Sequence, residues 1–206
     1  MSHAGTLFIV SAPSGAGKTS LLRDLLALDP RISLSVSHTT RAMRPGEEDG
    51  VHYHFVDVAA FERLVELDVF IEHARVFDNY YGTSAQALSE QLSLGQDVVV
   101  EIDWQGARQV RQRFPEAVSV FIAAPSIEAL RERLRGRGQD SEEIVARRMR
   151  DARTELSHYP EYDYLVINDN FEEALRQLQC IVVAERLRTE RQARANQASL
   201  ESMLVE

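Results

Sequence analysis

Of the 23 lysine and arginine residues in this 206-residue chain, a single one is lysine, Lys18. Cysteine is equally scarce: Cys180 stands alone, which excludes an internal disulfide. It lies among Leu175, Leu178, Ile181 and Val182, a helical apolar pattern, and is expected in the core rather than as a reactive thiol. No apolar run approaches the ~18 residues of a membrane-crossing helix. Met1 to Thr6 lacks the basic-then-apolar order of a secretory leader, so a cytoplasmic setting with no membrane contact is expected. Positive charge is also short, the net charge being −9. A chain that grips nucleic acid by its backbone shows a basic face, so nucleic acid is not the expected partner. A small anion is still open, because a local arginine cluster can make a positive site on an acidic protein. Internal repeats and low-complexity segments are absent.

What is present is a strand–helix alternation. Thr6 to Ala12 is a short apolar, β-prone run, and Leu21, Leu22, Leu25 and Leu26 then recur at helical spacing. Further strands are expected at 32–37, 52–56, 70–77, 97–103, 117–123 and 162–168. Helices are expected after Asp57, over 84–94, 107–114, from Ser126 towards Gly136, from Ser141, and as one long helix over 171–194. The βα order predicts an α/β fold: a parallel sheet flanked by helices. Residues 37–83 break the pattern with short β segments and read as an inserted antiparallel lobe. Residues 124–159, rich in arginine and interrupted at Gly136-Arg137-Gly138, read as a helical lid.

The strongest motif is Ser11-Ala12-Pro13-Ser14-Gly15-Ala16-Gly17-Lys18-Thr19-Ser20. It resembles the P-loop, G-x-x-x-x-G-K-[ST], with Ala12 in place of the first glycine. Such a loop aims consecutive backbone N–H groups at a phosphate from the start of a helix. Gly15 and Gly17 allow the curvature, Lys18 can reach β and γ phosphates, and the Thr19 hydroxyl can ligand Mg²⁺. In a chain that otherwise uses arginine, the lone lysine marks a place where a compact ammonium is wanted. A glycine turn before a helix is the plain alternative, which the preceding apolar strand disfavours. The second acidic element is Val98-Val99-Val100-Glu101-Ile102-Asp103. Acids at the C-terminal end of such a strand sit where open α/β sheets hold ligands. They can hold magnesium directly or through water, or contact a substrate hydroxyl; Asp103 can also simply cap the next helix.

Several segments in order resemble guanylate kinase, and most closely its bacterial members: Ser35-Val36-Ser37-His38-Thr39-Thr40-Arg41-Ala42-Met43-Arg44-Pro45-Gly46-Glu47, Gly50-Val51-His52-Tyr53, Phe70-Ile71-Glu72, Asn79-Tyr80-Tyr81-Gly82-Thr83, Asp103-Trp104-Gln105-Gly106, Gly136-Arg137-Gly138 and Asn168-Asp169. The resemblance spans about Thr6 to Arg188. It implies a single domain with a core (4–36, 84–123 and 160–206), a GMP-binding lobe (37–83) and a lid (124–159). It implies transfer of the ATP γ-phosphate to GMP, with Mg²⁺ carried by the ATP.

By that resemblance the GMP phosphate meets Arg41, Arg44, Tyr53 and Tyr81. Guanidinium suits bidentate phosphate contact, and the phenols are donors. Glu72 would read the base, since guanine offers donors at N1 and the 2-amino group where adenine has no 2-amino group and a lone pair at N1. Ser37 and Thr83 would donate to guanine O6, and Asp103 would complete the acceptor site. Residues 11–20 and, near adenine, Asn168 would bind ATP. Lys18, Arg41, Asp103 and the lid residues Arg137 and Arg148 would carry the transfer. Two arginines beside Pro-Gly can equally be a solvated turn, and Glu72 a solvent-facing strand residue. Three rivals are set aside. A catalytically silent scaffold would not need Lys18, Thr19, Arg41, Arg44, Glu72 and Asp103 together. A kinase for a sugar phosphate would not need Glu72, Ser37 and Thr83. A GTP switch needs an Asn-Lys-x-Asp motif, which a chain with Lys18 as its sole lysine lacks. Oligomeric state, a homo-oligomer included, is not legible.

Overall fold

The computed structural model describes residues 5–76, 78–135 and 142–204. Its centre is a five-stranded parallel sheet in the order β2 (Ile32–Leu34), β7 (Asp97–Glu101), β1 (Leu7–Ser11), β8 (Val118–Ala123), β9 (Tyr164–Ile167). Strand alternation divides the side chains. Phe8, Val10, Val99 and Val120 enter one core with Leu21, Leu22 and Leu25 of α1 (Lys18–Leu28) and Ala174, Leu178 and Val182 of α7 (Phe171–Arg186). Leu7, Ile9, Val98 and Val100 enter the other, with Leu88 and Leu92 of α3 (Ala85–Ser93) and Ala107 and Val110 of α4 (Trp104–Arg113). β1 is therefore covered on both faces, as its unbroken apolar run requires. Each such large side chain contributes about 1.5–3 kcal/mol by leaving water.

A second sheet, in the order β4 (His54–Phe55), β3 (His38–Thr39), β6 (Asn79–Ser84), β5 (Phe70–Val76), carries α2 (Val58–Glu66), which is capped by the Asp57 carboxylate on the Ala60 N–H. The expectation of an antiparallel lobe holds for β5–β6 and β3–β6. It fails for β3–β4, which run parallel because the loop through Pro45 and Gly50 carries the chain back before it re-enters the sheet. α5 (Ile127–Arg135) and α6 (Glu142–Leu156) pack through a small cluster of their own: Leu130, Leu134, Met149 and Ala152.

Two further expectations are corrected. The helix foreseen over 171–194 stops at Arg186, because Arg188 takes an extended backbone before α8 (Thr189–Ala195); α9 (Gln197–Leu204) follows. Cys180 is exposed, not buried. The buried stripe of α7 runs through Ala174, Leu178 and Val182, and a residue two places from Leu178 points about 200° away from it.

Candidate active site

The phosphate loop joins β1 to α1. Gly15 and Gly17 take φ of +92° and +94°, a region that side chains with a Cβ avoid. The loop is propped from below. The Ala16 N–H donates to the Pro13 carbonyl (3.0 Å), and the Asn168 side-chain amide donates to the Ala16 carbonyl (2.7 Å). A Cβ on Gly17 would stand 2.3 Å from Asn168 Nδ2. Among the described residues, the N–H groups of Gly15, Gly17, Lys18 and Thr19 have no protein acceptor. Orphan donors at a helix start are the chemistry of an anion site.

A cleft of about 350 Å³ opens over this loop. From the loop it is lined by Ala12, Pro13, Ser14, Gly15, Gly17, Lys18, Thr19 and Ser20. Across it stand Ser37, Arg44, Tyr53, Glu72, Tyr81, Asp103 and Arg148. Most of the sequence-predicted residues of both nucleotide groups thus share one cavity; Thr83, fully buried, lies behind its wall and reaches it only through Glu72 and Ser37. Lys18 Nζ lies 3.7 Å from Glu101 Oε1, and the Thr19 hydroxyl donates to the same oxygen at 3.0 Å.

Glu72 is 3% exposed at the floor of the second sheet, on β5. The Thr83 hydroxyl donates to its Oε1 (2.7 Å), and the Ser37 and Thr83 hydroxyls pair at 3.0 Å. Burial pushes the carboxyl up to about 7; the Thr83 bond opposes this and the Asp103 charge adds to it. Gly106 is required beside it, since a Cβ there would come within 2.7 Å of Glu72 Oε2. Asp103 accepts from the Gly106 N–H (2.9 Å), so the capping role and a place on the cleft wall coexist.

The rings of Tyr53 and Tyr81 meet edge to face, centroids 6.0 Å apart. Burial pushes the Tyr53 phenol up to about 12, so it remains a donor at neutral pH. Arg41 does not line the cleft. Its guanidinium donates to both Glu47 oxygens (2.7 and 3.0 Å) and lies 5.4 Å from the Tyr53 ring centroid. That pairing is the main reason its basicity is raised.

Besides Arg41 and Thr83, three placements differ from the sequence expectation. Asn168 is buried with its amide bound to Ala16, supporting the loop from beneath rather than facing the cleft. Ser11 is also buried, its hydroxyl donating to the Ile102 carbonyl (2.7 Å), which ties β1 to the strand end carrying Asp103. Ala16 is buried within the loop. Arg137 lies outside the described residues. Glu101, singled out with Asp103 at the acidic strand end, lines the cleft. One carboxylate was missed as a site residue. Glu155 also lines the cleft, one heptad beyond Arg148 on α6, a spacing that returns to the same helix face.

Among the described residues, no group of three or more His, Cys, Asp or Glu is placed to hold a metal by itself. Thr19 and Glu101 are instead the hard oxygen pair that suits Mg²⁺ arriving on phosphates, since that ion keeps waters and takes few protein ligands. No described helix is long and apolar enough to cross a membrane.

A phosphate loop at the end of β1, facing a buried carboxylate across one cleft, defines a P-loop nucleotide kinase. Comparison with known proteins narrows the class. The guanylate kinase family model matches residues 4–185. The chain is 65% identical over 187 residues to the guanylate kinase of Chromohalobacter salexigens, covering 91% of this chain and 87% of that one. It is 55% identical over 204 residues to that of Photobacterium profundum, covering 98% of each. The crystal structure of guanylate kinase from Anaplasma phagocytophilum superposes with a TM-score of 0.77 at 35% identity, covering 92% of this chain and 90% of that one. The chain belongs to the guanylate kinase family.

Proposed function

We propose that the enzyme transfers the γ-phosphate of ATP to GMP, reversibly, giving ADP and GDP by direct in-line attack. The observation that carries this reading is the cleft itself: orphan loop amides and Lys18 on one wall, the Glu72–Thr83–Ser37 chain on the other. The first suits a triphosphate. The second suits guanine, whose N1–H and 2-amino group would replace Thr83 as donors to Glu72, freeing the Thr83 and Ser37 hydroxyls to turn and donate to O6. Adenine has no 2-amino group and a lone pair at N1, so it would leave a buried carboxylate unpaired, which can cost several powers of ten in discrimination.

The division of labour follows. Residues 12–20 cradle the donor, with Ser11 and Asn168 bracing the loop. Arg44, Tyr53 and Tyr81 receive the acceptor phosphate, and Arg41 joins them by exchanging Glu47 for it. Asp103 closes the acceptor site. A GMP phosphate oxygen is already anionic and nucleophilic, so the step needs alignment and charge neutralisation rather than a general base. Lys18 offsets charge on the transferred group, and Arg148 approaches the donor from α6. Arg137, from the same segment, is assigned with it. Thr19, with Glu101 beside it, would hold Mg²⁺ carried in with ATP, which supplies positive charge against the phosphates. Residues 37–83 act as the acceptor lobe and 124–159 as the lid.

The test is an ATP-dependent kinase assay across the four common nucleoside monophosphates and a base-free sugar phosphate. GMP is expected to be used at least ~10²-fold better than AMP. Equal use of AMP or of the sugar phosphate would remove the role given to Glu72. No ADP formation with any acceptor would remove the kinase reading.

A further inference from the structure

Glu155 lies in the last turn of α6, where a carboxylate is disfavoured by the helix dipole. Its position therefore does nothing for its own helix. It is directed instead at the phosphate loop: Oε2 accepts the Ser14 backbone N–H at 3.2 Å, and the side chain lines the donor end of the cleft. Lys18 is close enough to stabilise its charge. Asp151, one turn earlier, has its Oδ2 buried without a partner. Arg148, a further turn back, lines the same cleft. The described end of the lid thus brings carboxylates to a loop whose backbone is built for anions.

Resting on the assignment of this loop to the ATP phosphates, we propose that Glu155 is a positioning residue that stands in for the donor phosphate. In the nucleotide-free enzyme its carboxylate holds the Ser14 amide and the field of Lys18, fastening α6 to the loop. The incoming triphosphate competes for the same donors and displaces the carboxylate from them, so donor entry and loss of the Glu155–Ser14 contact are one exchange. The charged groups that act on Glu155 are Lys18 of α1, Asp103 capping α4, and Asp151 of α6, while Arg148 of α6 lines the same cleft. Burial, with the two aspartates, pushes its carboxyl up to about 7, against Lys18 and the Ser14 bond. The competitor is therefore charged above neutrality and neutral below it.

The experiment is calorimetric titration of MgATP, without acceptor, into the wild-type enzyme and the Glu155→Gln and Glu155→Ala variants at pH 6.0 and 8.5. Glu155→Gln keeps the shape and the acceptor for Ser14 but removes the charge. It is expected to bind MgATP about fivefold to twentyfold more tightly than wild type at pH 8.5 and equally at pH 6.0. GMP affinity, titrated separately, is not expected to move. Weaker or unchanged MgATP binding by Glu155→Gln at pH 8.5 would overturn the proposal, as would tightening of equal size at both pH values. Glu155→Ala at pH 8.5 should tighten binding too, and weakening there would show a purely structural prop. If wild type bound MgATP yet failed to phosphorylate GMP, the kinase reading would fall while this titration still decided the role of Glu155.

Discussion

The Thr83 hydroxyl donates to Glu72 Oε1 at 2.7 Å within a site almost closed to water, and it is the strongest opposition to the burial that pushes this carboxyl up to about 7. The pair sits at the junction of specificity and stability. A folded-state pKa raised above the ordinary 4.5 means the native protein holds the proton more tightly than the unfolded chain. Stability is then lost as pH rises from about 4.5 to about 7 and levels off above that. Glu72→Gln is expected to raise stability at pH 8 by about 1–3 kcal/mol and to leave it nearly unchanged at pH 4. It should also cut kcat/KM for GMP by at least ~10²-fold. Denaturant melts at the two pH values, beside kinetics with GMP, check both halves. A variant as active as wild type would count against the base contact.

Lys18 is the chain's one lysine, its side chain only 18% exposed beside Glu101. Amine-reactive labelling should reach Lys18 and the N-terminus alone, and MgATP should protect Lys18 while GMP does not. Peptide mapping by mass spectrometry reads this directly. Lys18→Met should lower kcat by roughly 10²–10³-fold, the scale of removing one preorganised charge from a transition state. Labelling that proceeds undiminished under saturating MgATP would contradict its contact with the donor.

Asn168 and Gly17 form a second testable pair. The amide beneath the loop fits only because Gly17 has no Cβ. Gly17→Ala meets both a 2.3 Å contact and a φ of +94°, so it is expected to lower the melting temperature and abolish MgATP binding. Asn168→Ala should fold, yet raise KM for ATP about tenfold with KM for GMP unchanged, since it loosens one wall of the cleft only. An equal rise in both constants would show that Asn168 supports the whole fold instead.

Trp104 follows Asp103 and stacks on His158, ring centroids 3.8 Å apart at 14°, with the Arg108 guanidinium 4.7 Å from its own ring centroid. His158 lies just beyond α6, and Arg108 also grips Glu161 there at 2.6 Å. The only tryptophan is therefore seated at the C-terminal end of α6, the root of the segment proposed above as a lid. Its fluorescence should change on MgATP addition, and His158→Ala should shrink the change. A signal indifferent to nucleotide would mean the lid root stays still.

The parallel sheet was legible because its central strands β1 and β7, buried on both faces, carry apolar runs, and the loop was legible because glycines and a lysine at fixed spacing have few other uses. β6 was not read as a strand: Asn79-Tyr80-Tyr81-Gly82 lacks apolar alternation, and its pairing with β5 and β3 is tertiary. The parallel β3–β4 pair is two residues long, too short for any periodicity. Pairing of Arg41 with Glu47 could be suspected from proximity, but not that it draws the guanidinium out of the cleft. Glu155 was hidden by company, one acid among many charges on an arginine-rich helix. Only the packing of α6 on the loop singles it out.

One helix ties the two sheets together. α4 begins at the capping Asp103 of the core, passes Gly106 against Glu72, and fixes β5 by Gln109, which bonds both the N–H and the carbonyl of His73, and by Arg113, which bonds the Phe70 carbonyl. The carboxylate assigned above to the purine is thus riveted to the rigid half of the molecule, while Arg41, Arg44 and Tyr53 ride on the outlying loop. On that assignment, a wrong base would be refused on arrival, before the enzyme spends movement on it.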